Sequence, residues 1–234
     1  MTTPLSNEPA KAPASPSPIL IVAATRWEAR PLAAALGLAG QSPDSWSGSI
    51  NQRDIKLILT GMGGPAVLAA LDRQPPPSLV ISTGFAGALQ QDLKTGDVVV
   101  EELTPCPQEA VALRLDSQCI RFAKIAHADH PLRLPAEKLA LGKSVGAPAV
   151  DMESDSVRKW AKEHGLKALA VRVILDEASY ALPQTLPRSE APLALAGYAL
   201  ANPQAWPRLA GLWCRQRKAA KALCFIVKCL LERI

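Results

Sequence analysis

The sequence predicts an α/β layer fold, and three observations predict it. Short continuous apolar runs recur along the chain: ILIVAA at Ile19–Ala24, SLVIST at Ser78–Thr83 and KALAVRVIL at Lys167–Leu175. Such runs suit strands covered on both faces. Segments with helical spacing lie between them, and glycine or proline marks many junctions. Alternation of strand and helix leaves a sheet whose faces helices must bury. The chain has 234 residues, 48% of them hydrophobic, enough for one well-buried domain.

The elements follow in order. Met1–Pro18 is rich in Pro, Ser and Ala and lacks the apolar stretch of a signal peptide, so it reads as a disordered tail. Ile19–Ala24 is a strand, too short to span a bilayer. Arg26–Leu36 is a helix with Pro31 near its start and Gly37 at its end. Ser45–Ile50 and Asp54–Thr60 suggest paired strands. A glycine turn at Thr60–Pro65 leads into a helix over Ala66–Leu71, and Pro75–Pro77 breaks the chain. Ser78–Thr83 is a buried strand ending in a second glycine turn, Gly84–Gly87. Thr95-Gly-Asp97 turns into a strand over Val98–Glu101. Short strands are expected around Ala110–Leu115 and Cys119–Ile125, and a helix over Pro135–Leu141. Ala149–Asp151 is a strand leading into a helix over Glu153–His164. Lys167–Leu175 is the last core strand, with Asp176 at its C-terminal edge.

Residues 19–205 then form one domain, and residues 206–234 a C-terminal helix. Within Arg208–Ile234, Leu209, Leu212, Trp213, Ala220, Leu223, Val227, Leu230, Leu231 and Ile234 mark one side. Arg217, Lys218, Lys221 and Lys228 gather on another. Two readings stand open: a terminal helix packed on the domain, or a basic amphipathic helix in peripheral contact with a membrane.

The net charge is +5, with much of the excess near the C-terminus. No nucleic-acid signature or interleaving of basic and aromatic residues accompanies it, so no nucleic-acid partner is expected. Five cysteines without CxxC spacing argue against a disulfide framework or a zinc site. Free thiols fit a cytoplasmic protein. Three scattered histidines give no metal cluster, and no metal or cofactor is expected.

Four features can carry chemistry. Gly61-Met-Gly63 and Gly84-Phe-Ala-Gly87 follow apolar strands, where glycine lets the backbone approach a ligand and present N–H groups. Neither is a GxGxxG or Walker loop, and each by itself reads first as a tight turn. Val150-Asp-Met-Glu-Ser154 places carboxylates around a methionine where a strand becomes a helix. Glu153 can accept two sugar hydroxyls there, and Met152 can face a sugar ring. An acidic helix N-terminus explains the same residues. Asp176, at the mouth of the sheet, can become a proton donor if burial raises its pKa, or it is a turn aspartate. Glu28 can position a water, or it is a surface helix glutamate. Each lies just after a predicted core strand, so folding can bring them to one rim.

The stretches LILTGMGGPAVLAAL, VISTGFAGALQQDLKTGDVVV, AVDMESDSVRKWAKEHGL and AVRVILDEAS occur in an order that resembles the purine nucleoside phosphorylase and methylthioadenosine/S-adenosylhomocysteine nucleosidase superfamily. The resemblance runs from about Ile19 to Ala178. It implies a three-layer α/β/α fold with a central mixed sheet flanked by helices. It implies cleavage of a purine nucleoside N-glycosidic bond, and commonly a homo-oligomer. By motif, Glu28 matches the glutamate that holds the attacking water. Met152 and Glu153 match the ribose-binding pair, and Asp176 the acid that protonates the purine at N7. Phe85, Ala86 and Gly87 match the loop beside the anomeric carbon, and Leu132 falls in the base-contacting stretch.

VDMES, the EK of PAEKLAL and the long C-terminal helix resemble most the branch linked to hopanoid biosynthesis. This implies release of adenine from adenosylhopane. Two departures stand out: Leu175 where Ser usually precedes the acid, and the bulky Phe85. A phosphorylase would take phosphate as co-substrate and needs cations for it. Arg26 and Arg172 are the nearby arginines, and Glu28 would repel phosphate, so hydrolysis is favoured. A non-catalytic nucleoside- or lipid-binding relative is the remaining alternative.

Overall fold

The computed structural model of the protein describes residues 17–106, 108, 120–182 and 206–234, except for the side chains of 207 and 208. The order of elements is β1 (Ile19–Ala23), α1 (Arg26–Ala35), β2 (Ala39–Ser42), β3 (Ser45–Ile50), β4 (Arg53–Leu59), α2 (Gly64–Leu71), β5 (Leu79–Ala88) and β6 (Val98–Glu102). Then come β7 (Ile120–Phe122), β8 (Ala126–His127), α3 (Pro135–Val145), β9 (Ala149–Asp151), α4 (Ser154–Glu163), β10 (Ala168–Asp176) and α5 (Trp206–Arg233). The strand expected around Ala110–Leu115 and all but the last two residues of the tail expected over 1–18 lie outside the described residues.

The strands form one mixed sheet in the order β2-β3-β4-β1-β5-β10-β6-β7. The centre, β4-β1-β5-β10, is parallel, whereas β3 on β4 and β6 on β10 are antiparallel. Asn51 and Gln52, both with positive φ, close the β3–β4 hairpin. That backbone suits the right-handed twist of two paired strands. The short exposed strand β2 carries no apolar pattern, which is why the sequence does not reveal it.

Period-two alternation decides which layer each side chain enters. From β1, Ile19, Ile21 and Ala23 join one core with α1 and α5; Leu20 and Val22 join the other with α2 and α4. β10 splits the same way, Leu169, Val171 and Val173 against Ala168, Ala170 and Ile174. The architecture is therefore the expected three-layer α/β/α sandwich.

The C-terminal helix is part of that sandwich. Ala219, Leu223, Ile226, Val227, Leu230 and Leu231 are buried against the sheet and α1. Five large side chains at about 2 kcal/mol each amount to about 10 kcal/mol of apolar burial, an upper figure. One residue assigned to the apolar side from sequence, Trp213, points outward and is 52% exposed. The cause is that the buried stripe is narrower than the run of apolar residues along the helix.

Candidate active site

Three strand ends converge above the parallel centre of the sheet. A cavity of about 220 Å³ lies there, walled by Thr25, Glu28, Phe85–Gly87, His130–Leu132, Val150–Glu153 and Leu175–Asp176, with Ala24, Met62, Ala128 and Leu182. The eight residues given site roles by resemblance lie in this wall: Glu28, Phe85, Ala86, Gly87, Leu132, Met152, Glu153 and Asp176. Ligands in open α/β sheets sit beyond the carboxyl ends of strands.

Glu28 is not a surface glutamate. It stands in the first turn of α1 but is 4% exposed. Its Oε2 accepts the Thr25 N–H at 2.8 Å, and its Oε1 accepts the Phe85 N–H at 2.8 Å. The first bond belongs to a capping box; the second ties α1 to β5. Burial pushes the Glu28 carboxyl up from 4.5 to about 7, against the pull of these N–H donors.

Gly84–Gly87 is not a turn. β5 continues through it to Ala88, because β10 pairs with it up to Gly87 and β9 pairs with Gly87 and Ala88. Glycine serves here by absence of a side chain. A Cβ on Gly84 would lie 2.9 Å from Glu28 Oε1, and one on Gly87 would lie 3.4 Å from Asp176 Oδ2. The two glycines let the two carboxylates close on one strand.

Gly61–Gly63 does turn the chain, with positive φ at both glycines. Its product is a bond across the fold: the Gly63 N–H donates to Glu153 Oε1 at 2.8 Å. Glu153 itself opens α4 but makes no side-chain cap, so helix capping does not explain it. Burial raises its pKa, while Arg172 and the Gly63 N–H oppose the rise.

Asp151 does serve the helix start, accepting the Ser154 N–H, and also binds Arg172 Nε at 2.6 Å. Arg172 projects from β10 into the α2/α4 layer and is 1% exposed. Its other nitrogens donate to Ser82 O and Ser82 Oγ. This buried cluster fixes the loop that carries Met152 and Glu153. In the sequence Arg172 stands only as one of two arginines near the candidate site, with nothing to mark Asp151 as its partner.

Asp176 is the last residue of β10. Register against β5 slips between Ile174 and Asp176, leaving Leu175 as an extra residue. Such a bulge re-aims the residue beside it. Asp176 is 5% exposed, and burial drives its pKa up, with Lys138 and Arg215 pulling it down. Lys138 comes from α3, is fully buried, and hydrogen-bonds Asp176 Oδ2. Its role was not legible in PAEKLAL, because a lysine in a helix ordinarily faces solvent.

Three acids with raised pKa values thus share one cavity. None of its walling residues is a lysine or arginine. Arg26 pairs with Asp44 at 3.1 Å, and Arg172 with Asp151. Among the described residues no group of His, Cys, Asp and Glu is arranged to hold a metal.

The architecture is a three-layer α/β/α fold with its cavity beyond the carboxyl ends of the parallel strands. Solved structures give the particular likeness. Futalosine hydrolase of Helicobacter pylori superposes with a TM-score of 0.66 at 18% identity, over 93% of this chain and 98% of that one. The 5′-methylthioadenosine/S-adenosylhomocysteine nucleosidase of Campylobacter jejuni gives 0.68 at 16%, over 93% and 100%. That of Colwellia psychrerythraea, solved with adenine, gives 0.68 at 17%, over 93% and 96%. In sequence, the chain is 39% identical over 62 residues to the same nucleosidase of Haemophilus influenzae. That match spans 25% of this chain and 27% of the relative, about a quarter of its length. No family model matches the sequence.

Proposed function

We propose that this protein hydrolyses the N-glycosidic bond of a purine nucleoside. The observation that carries the reading is one cavity wall that holds the buried Glu28 and Asp176 and the half-buried Glu153, all three with raised pKa values. A purine leaves poorly as an anion, so a proton must reach it as the bond breaks. Asp176, whose burial favours the protonated form, supplies that proton at N7. The ribose develops oxocarbenium character. Glu153 accepts its hydroxyls, with Met152 against the ring, and Glu28 takes the proton of the attacking water. Preorganised carboxylates act on charge that grows in the transition state. Leu132, with Pro131 and His130, lines the side where the base would lie.

Hydrolysis is favoured over phosphorolysis by charge. A phosphate entering the cavity would meet carboxylates, and the nearby guanidiniums are already engaged. Asp176→Asn should lower base release by about 10²–10⁴-fold, the span of general-acid assistance, with the fold retained. Adenine release in a dialysed assay should not depend on added phosphate. A strict phosphate requirement would reverse this assignment, and unchanged turnover in the Asn variant would remove it.

The finer reading is release of adenine from adenosylhopane. Leu175, Leu182 and Phe85 give the cavity an apolar side. Along the outer face of α5, Trp213 and Phe225 are exposed beside Arg217, Lys218, Lys221 and Lys228. Such a face suits an anionic lipid surface, at about 1 kcal/mol per cation. No helix among the described residues is long and apolar enough to cross a membrane. The reading expects adenosylhopane to be cleaved in preference to methylthioadenosine and inosine. It also expects salt-sensitive sedimentation with phosphatidylglycerol vesicles, lost when the four cations are replaced by Glu. Preference for methylthioadenosine would reject the hopanoid substrate.

A further inference from the structure

The fold places a charge where solvent does not reach. Lys138, on α3, is 0% exposed, yet nothing in its helix demands a cation there. Taking an ammonium out of water costs several kcal/mol unless it is well paired. An ammonium has three protons to donate, and Lys138 uses three acceptors. These are Asp176 Oδ2, Glu177 O at 3.1 Å and Tyr180 O at 2.7 Å. The two carbonyls belong to the segment that carries the chain from β10 toward Leu182 on the cavity wall.

We propose that Lys138 is a positioning residue for the acid: its ammonium grips Oδ2 of Asp176, leaves Oδ1 to carry the proton that is donated, and pairs the carboxylate left behind. This rests on the nucleosidase reading and deepens it. The step balances without any added reagent. The proton on Oδ1 moves to N7 of the purine, the electrons of the C1′–N9 bond stay with the base, and water completes C1′ with its proton passing to Glu28. Lys138 remains an ammonium throughout.

Other charges also face Asp176. Arg215, from α5, is held by Glu177 and Thr95, and Glu177 follows Asp176 in the chain. Across the cavity stand Glu28, Glu153 and His130. Among the described residues, Lys138 is the charged side chain hydrogen-bonded to Asp176. The others act from a distance. Burial and the ammonium therefore oppose one another on one carboxyl. Burial favours the protonated carboxyl, and the ammonium makes departure of the proton less costly.

Lys138→Met and Lys138→Gln test this; the Gln variant keeps a donor for the carbonyls if the Met variant does not fold. The first measurement needs no substrate. In protein labelled with ¹³C-carboxyl aspartate, the Asp176 resonance, assigned by its loss in Asp176→Asn, is titrated. Its midpoint should rise by about one pH unit or more in either variant, since an adjacent opposite charge is worth about 1–3 units, and return toward the native value in Lys138→Arg. The second measurement is the pH dependence of adenine release. kcat should fall about 10- to 100-fold with KM little changed, and the alkaline limb should move up with the carboxyl midpoint. An unmoved Asp176 midpoint in a folded variant overturns the proposal. So does a loss of kcat whose pH limbs stay in place, because that is what mere packing would give. Absence of adenine release from the native protein would instead sink the nucleosidase reading, and the carboxyl titration would still decide whether Lys138 governs Asp176.

Discussion

Glu28→Gln isolates the titration of one buried acid. In the native fold the Glu28 carboxyl sits at about 7 rather than 4.5, with burial as the main cause. Between these values the folded chain holds a proton that the unfolded chain releases. Stability then falls as pH rises through this window, and the full cost is present above about 7. At about 1.4 kcal/mol per pH unit, the cost comes to about 3 kcal/mol. Gln does not titrate, but it offers one acceptor where the carboxylate serves both Thr25 N–H and Phe85 N–H. That loss is independent of pH and offsets the curve without changing its slope. Urea unfolding of both proteins at half-unit steps from pH 4 to 8 gives the difference directly. The native protein should lose about 3 kcal/mol relative to the Gln variant across that range, nearly all of it between pH 4.5 and 7.5. A flat difference would refute the burial argument for Glu28. With Glu28 as the base of the proposed hydrolysis, kcat/KM of the native protein should show an acid limb near pH 7.

Two further substitutions probe what holds the site. Arg172→Met leaves Asp151 buried and unpaired, and should cost about 3–5 kcal/mol in chemical unfolding; the double variant with Asp151→Asn should recover part of it. Gly84→Ala puts a Cβ 2.9 Å from Glu28 Oε1. Glu28 must move, and nucleoside cleavage should fall at least tenfold, on the order of 1.4 kcal/mol, while the core cluster of α1 and α5 keeps the fold. Activity retained at native level would mean that the close approach of Glu28 to β5 is dispensable.

Some residues could be placed from sequence because local pattern carries their burden. The runs at Ile19–Ala24 and Lys167–Leu175 have the pattern of covered strands, and an acid just after such a run is a candidate for the rim of the sheet, with a turn or helix-terminus role as the alternative. Glu28, Glu153 and Asp176 were found by that logic. The Gly84–Gly87 segment misled it. Glycines after a strand resemble a turn, but pairing by β9 and β10 carries β5 straight through.

The C-terminal helix marks the boundary most clearly. Its period and length are written in the sequence, but its apolar residues do not all face the core. Trp213 and Phe225 stay outside while Leu223 and Leu230 go in, because the groove between α1 and the sheet admits only one stripe. Sequence alone determined the α/β layering, the order of the strongly patterned elements and the acids at the strand ends, since these follow from periodicity and from residue type. Only the tertiary structure decided the partners: Lys138 for Asp176, Gly63 for Glu153, Phe85 for Glu28. Those bonds join residues 38, 90 and 57 positions apart, and no local pattern encodes which distant groups a fold will bury together.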